Sequence, residues 1–183
     1  MGKRAAVVVT ALAVAAAAVA GCDLPKGHDV PHVPFLTVRD TIYEMYVRTL
    51  RELPDGYTLD SSRYGDSNGT TVPCDITAEK SPSDHLDVRD LLTPEGTDRL
   101  ALIARVGDIW RAFGWTVEDD KSGTRLPSRT AHTPDGYRIS IEYTGDFPPS
   151  VHGSSPCLWI EGDHHVPGVF AITRDTTDYG HPK

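Results

Sequence analysis

The stretch Thr133-Pro134-Asp135-Gly136-Tyr137-Arg138-Ile139-Ser140-Ile141-Glu142-Tyr143 decides the fold class. Its first four residues suit a type I turn with glycine in the left-handed position. From Tyr137 onward, large apolar residues alternate with Arg138, Ser140, Glu142 and Thr144. A period of two predicts a strand with one face buried and one face wet, which is the pattern of an antiparallel sheet.

Upstream of this strand the period changes. Leu100, Ile103, Val106, Ile109, Trp110 and Phe113 recur at three- and four-residue steps. That spacing predicts a helix with one core-facing stripe, entered at Thr93-Pro94 and closed by Gly114. Trp115, Thr116 and Val117 then begin a strand, and residues 125–133 read as extended. An earlier helix spans residues 37–53, with Val38, Ile42, Met45, Tyr46, Leu50 and Leu53 on one side. Thr37 is its expected N-cap with Asp40 in the capping-box position, and Pro54-Asp55-Gly56 stops it. Short strands are expected from Tyr57, across residues 85–92, and near residues 151–155. Residues 64–71 read as a polar loop. The two helices and the meander predict an α+β domain: an antiparallel sheet of about five strands, two helices packed on one face, and one disulfide. GYTLD at residues 56–60 and GWTVE at residues 114–118 form a short internal echo, each directly after a helix.

The N-terminus has a different logic. Lys3 and Arg4 form a basic start, and residues 5–20 are almost all Ala and Val. That run is short for a comfortable spanning helix and has the layout of an export signal. Val19-Ala20-Gly21-Cys22 follows, and resembles the lipobox of bacterial lipoproteins. A transferase must reach the Cys22 thiol to attach diacylglycerol, and a peptidase must cut between Gly21 and Cys22, so small flanking side chains are required. With palmitate or similar chains added, two or three acyl groups on one residue suffice for stable anchoring. The expectation is a lipoprotein held to the cell membrane through Cys22, with its domain on the extracytoplasmic face of the envelope. Asp23 favours retention at the inner membrane where a cell has two.

Three cysteines are present. With Cys22 assigned to lipid, Cys74 and Cys157 remain, 83 residues apart. Export to an oxidising compartment predicts a disulfide between them, worth about 4 kcal/mol on the chain-entropy account. Two free thiols are the other arrangement the count allows. There is no CxxC pair.

The formal net charge is −8, and removing the basic signal leaves the mature chain near −10. Such a chain is repelled by phosphate backbones and lacks a basic patch interleaved with aromatics, so nucleic acid is not an expected partner. The domain boundaries read as 1–21 signal peptide, 22–36 lipidated cysteine and flexible proline-bearing linker, 37–160 globular domain, and 161–183 a partly disordered tail. Within that tail the apolar patch of residues 166–172 has the composition of an added edge strand.

The sequence displays no catalytic constellation. Gly153-Ser154-Ser155-Pro156 does not fit a nucleophile elbow. His164 and His165 are adjacent, so on a strand they face opposite sides and do not share a metal simply. His28 and His32 lie in the linker; the histidines as a group read as solvated surface. The acidic turn at Asp119-Asp120 lacks the spacing of a calcium loop. No metal and no cofactor is expected. Trp110 and Trp115 read as core. Trp159 reads as packing on the disulfide, with a ligand-facing role for Trp159, His164 and His165 as the alternative.

Residues 133–138 (TPDGYR) and residues 155–159 (SPC followed by Leu158 and Trp159), taken with the VAGC lipobox, resemble small uncharacterised lipoproteins of actinobacterial cell envelopes. The resemblance covers residues 94–159 and the lipobox, and its motifs transfer fold rather than activity. The expected function is therefore a non-enzymatic binding or accessory module at the cell envelope, engaging a protein or glycan partner. The alternative is an envelope enzyme of hydrolase type whose site forms only in three dimensions.

Overall fold

In the computed structural model, which describes residues 30–65, 68–119, 127–143, 145–162 and 166–181, the alternating stretch is one strand of a larger sheet than the sequence predicts. The chain runs β1 (His32–Pro34), α1 (Phe35–Arg51), β2 (Thr58–Asp60), a 3₁₀ turn (Ser62–Tyr64), β3 (Thr70–Pro73), β4 (Ser83–Leu92) and α2 (Arg99–Ala112). It continues as β5 (Thr116–Glu118), β6 (Ser128–His132), β7 (Arg138–Glu142), β8 (Ser150–Ser154), β9 (Trp159–Glu161) and β10 (Ala171–Ile172).

The main sheet has the order β10-β2-β4-β8-β7-β6-β5, every pair antiparallel. β3 pairs with the first half of β4, on the edge that β2 occupies further along. The α+β class with two helices and one disulfide holds, but the described residues form eight strands in this sheet rather than about five. Of these β3 was not expected as a strand; its four residues are too short to display a period of two. β3 also falls partly within residues read as loop. The echo segments GYTLD and GWTVE become β2 and β5, each handed over directly from a helix. The two helix-led halves meet where β4 pairs with β8.

Both helices lie over one face. Ile139, Ile141, Ala131, Val151, Leu59 and Leu91 point toward them and join Ile42, Tyr46, Leu50, Ile103, Val106 and Trp110 in one buried cluster. The Trp110 indole N–H donates to Thr49 Oγ1 at 3.0 Å, tying α2 to α1. Gly153 marks where α1 comes closest to the sheet. A Cβ there would stand 2.4 Å from Ile42 Cγ2 and 2.8 Å from the Tyr46 hydroxyl.

The helix starts differ from expectation. Thr37 is not the N-cap of α1: the helix begins at Phe35 behind Pro34, with no side-chain cap bond. Phe35 is buried, with its ring edge-on to His85 at 5.1 Å, and this packing draws the start of the helix forward. Nor does α2 begin at Thr93-Pro94. Residues 94–97 form a turn closed by Thr97 N–H to the Pro94 carbonyl, and Asp98 caps the helix by accepting from Leu100 N and Ala101 N. The turn read at Thr133-Gly136 is present, with Gly136 N–H donating to the Thr133 carbonyl.

Chain assigned by sequence to linker and tail also packs here. Val30 is buried, and β1 pairs in parallel with β9. Residues 166–181 lie against α1 and β2. β10 extends the sheet beside β2, and Tyr179 meets Tyr43 edge-on at 5.5 Å. Arg174 pairs with Asp55, and His181 Nε2 lies 2.6 Å from Asp40 Oδ2. Among the described residues no helix is long and apolar enough to cross a membrane.

Candidate functional site

Cys74 and Cys157 are joined, with their Cα atoms 6.2 Å apart. The bridge sits at one end of β4: Cys74 N–H donates to the Pro82 carbonyl, and Ser83 exchanges both backbone bonds with Leu158. Trp159 follows at the start of β9, half-buried, and its ring stacks on His32 at 6.0 Å. Gly21, Cys22, His28, His164 and His165 lie outside the described residues. The reading of the histidines as surface groups fails at His85, which is fully buried on the helix side of β4. The alternation in sequence points the other way: Leu86 and Val88 are the apolar set, yet His85, Asp87 and Arg89 are the residues that β4 turns inward.

Under α1 runs a buried polar layer. Arg89 is fully enclosed. Its Nε donates to Asp87 Oδ1 at 2.8 Å, and one terminal nitrogen reaches Asp87 Oδ2 at 3.1 Å and the Tyr43 hydroxyl at 2.8 Å. The other terminal nitrogen donates to the carbonyls of Val169 and Phe170, both at 2.8 Å. Burial first, and the Asp87 charge second, push both Tyr43 and Tyr46 above the ordinary phenol range, so both hydroxyls stay protonated. Arg39 does a parallel job, donating to Asn68 Oδ1 and to the Pro167 carbonyl at 3.0 Å each. Asn68 in turn donates to the Val166 carbonyl. Two enclosed arginines and an asparagine thus hold the backbone of residues 166–170. This layer is internal, and its donors are used in holding the fold.

Among the described residues, the opposite face of the sheet carries no helix. In β4 the outward positions are Asp84, Leu86, Val88, Asp90 and Leu92. Cross-strand registers extend them into rows. Leu86 stands beside Ser154, then Arg138, His132 and Thr116. Val88 stands beside His152, then Ser140, Thr130 and Glu118. Asp90 stands beside Ser150, Glu142 and Ser128. An apolar strip along β4 therefore borders a wide polar field, in which His152 Nε2 lies 3.2 Å from Glu142 Oε1.

A rim rises at the edge of that strip. Tyr64 donates to Asp90 Oδ1 at 2.9 Å. The Arg63 guanidinium lies 3.9 Å from the centre of the Phe147 ring and 3.4 Å from Asp90. Gly69 lets the incoming loop pass directly over β4, since a Cβ there would stand 2.3 Å from the Leu86 carbonyl. Tyr64, Gly69, Thr70, Leu86 and Val88 enclose a shallow recess of about 300 Å³. Tyr64, Val72, Leu92 and Phe147 are among the few exposed large apolar residues, and all four surround this part of the face. At the disulfide end of β4, burial pushes the Asp84 carboxyl up to about 6, against the opposing pull of Arg138 and Ser155.

Two wider grooves, of about 370 and 430 Å³, flank the ridge of α1 at Glu44 and Arg48. There the Arg48 guanidinium is already laid 3.9 Å from the Phe113 ring centre. Among the described residues no three His, Cys, Asp or Glu side chains gather closely enough to hold a metal ion. No family model, curated protein or solved structure matches the chain.

Proposed function

We propose that this chain is an extracytoplasmic lipoprotein, anchored by lipid on Cys22, whose domain is a non-enzymatic accessory module that docks a protein partner on the open face of its sheet. The lipobox-like Val19-Ala20-Gly21-Cys22 supports the anchor. The observation that carries the docking surface is the gathering of Tyr64, Val72, Leu92 and Phe147 around Leu86 and Val88 on a face that no helix among the described residues covers. Protein interfaces have this anatomy: an apolar centre with aromatic and arginine side chains, surrounded by a polar rim. Here the rim is the field of Ser, Thr, His, Glu and Arg on β8, β7 and β6. An acidic domain of this kind fits a partner surface with basic groups.

The test is chemical crosslinking on intact cells, with capture of the Cys22-anchored chain and mass spectrometry of what accompanies it. The paired substitution Leu86→Glu and Val88→Glu places charge on the floor of the recess without touching the helix-side core. The expected result is one dominant envelope protein lost in that variant and retained when Arg48→Ala alters the α1 grooves instead. An unchanged set of crosslinked proteins in the charged variant would overturn the assignment of the face. Cys22→Ser should release the chain from the membrane or leave an uncleaved precursor.

A further inference from the structure

We infer that the disulfide-footed loop of residues 75–81 rests on the bilayer, with Ile76 inserted in its interfacial layer; this rests on the lipid anchoring at Cys22 proposed above. Ile76 is 86% exposed, far more than any other large apolar side chain among the described residues. The core gives no reason for it to be there. The loop that carries it is nonetheless well held. Asp75 N–H donates to Ser81 Oγ at 2.9 Å, and Asp75 Oδ1 accepts from both the backbone and the hydroxyl of Thr77. Cys74, bonded to Cys157, fixes the foot.

The place of the loop says what it meets. The described chain starts at Val30, and Pro31 accepts the backbone bond of Trp159, next to Leu158, which pairs with Ser83. Cys74 N–H bonds the Pro82 carbonyl. The point where the chain leaves toward Cys22 and the base of the Ile76 loop are therefore at the same end of the domain. Eight residue steps separate Cys22 from Val30, and a fully extended chain covers at most about 29 Å over that interval. A lipid on Cys22 therefore holds this end of the domain within that distance of the membrane. At that effective concentration even one inserted side chain stays engaged. Trp159, half-buried on His32 at the same end, is of a type that favours the membrane interface.

The charges around the loop select the kind of lipid contact. Asp75, Glu79, Asp84 and Glu161 outnumber Lys80 and Arg138. Hydrogen bonds from Thr77 hold the Asp75 carboxyl below the usual carboxylate range, so it stays ionised. Attraction to anionic headgroups is absent, and the contact is apolar insertion into a zwitterionic surface, insensitive to salt.

The experiment uses the full lipidated chain purified from membranes and reconstituted in phosphatidylcholine vesicles whose acyl chains carry bromine, a quencher of indole fluorescence. Ile76→Trp places a reporter on the loop. Leu92→Trp places one at the far end of β4, about 30 Å away by strand rise. The emission added by Ile76→Trp should be largely lost in brominated vesicles and kept in plain ones, at low and high salt alike, while that of Leu92→Trp survives in both. Equal survival of both reporters in a chain that floats with the vesicles and carries diacylglycerol by intact mass would overturn the loop contact and leave the anchor standing. A chain that carries no lipid and fails to float would overturn both.

Discussion

Replacing Arg89 with methionine tests whether the buried polar layer beneath α1 is a matched charge set. The guanidinium is fully enclosed, and the Asp87 side chain beside it is 1% exposed. Arg89→Met removes two bonds to that carboxylate, one to the Tyr43 hydroxyl and two to the carbonyls of Val169 and Phe170. The main cost is the carboxylate left buried and unpaired, about 3–5 kcal/mol. A domain of ordinary stability has about 5–15 kcal/mol in total, so the variant should be close to unfolding. Adding Asp87→Leu removes the orphaned charge. The two carbonyls lie near the chain surface and can turn to water, so the double variant should regain at least about 2 kcal/mol over Arg89→Met alone. Urea unfolding of Cys22→Ser protein with the disulfide intact, followed by tryptophan fluorescence, measures this through Trp110, which lies in the same core. A double variant no more stable than Arg89→Met would refute the reasoning, because it would mean that neutralising Asp87 is not what the guanidinium contributes.

Three further outcomes are expected. Asp84, raised from 3.8 to about 6, makes the folded chain hold more protons than the unfolded chain between those values, so stability should fall as pH rises through that window and level off above it. The full linkage value is about 3 kcal/mol, which partial exposure to water reduces to about 1–2 kcal/mol, and Asp84→Asn should abolish the slope between pH 4 and 7 in urea titrations. Gly153→Ala drives a methyl into Ile42 and Tyr46 and should cost about 1–3 kcal/mol, read as a lowered urea midpoint; no change would mean that α1 shifts freely over β8. Reducing Cys74–Cys157 should lower stability by about 4 kcal/mol on the chain-entropy account, and an unchanged thermal midpoint after complete alkylation would show that the bridge constrains little.

The α+β class was legible because α1, α2 and β7 are long enough to show their periods. Ile103 and Val106 on α2, and Ile139 and Ile141 on β7, point where the pattern says they should. The pairing of Cys74 with Cys157 followed from cysteine count. What escaped was whatever the sequence expresses in pieces shorter than one period. β1, β3 and β9 have three or four residues each, and their positions follow from partners distant in the chain. The fastening of residues 166–170 was invisible for a related reason. Backbone carbonyls receive the hydrogen bonds, so the side chains of that segment carry no mark of it, and the donors Arg39, Asn68 and Arg89 lie about 80 to 130 residues upstream. The open face was half legible. Arg138, Ser140 and Glu142 announced a wet side of β7, but the apolar strip on β4 became meaningful only once Tyr64 and Phe147 were seen to border it.

The pairing of β1 with β9 has a mechanical consequence. A lipid-tethered domain is pulled whenever its partner and its membrane move apart, and under the proposed anchoring that load enters at Val30. β1 runs parallel to β9, and Val30 and Cys157 stand at the same end of the pair, so tension entering at Val30 and leaving through Cys157 peels the backbone bonds in turn, beginning with that of Trp159 to the Pro31 carbonyl. From β9 the force crosses two residues to Cys157, passes through a covalent bond to Cys74, and spreads into β3 and β4. While those bonds hold, the load path reaches the centre of the sheet through the disulfide; once they part, the tension passes along the chain into α1 at Phe35.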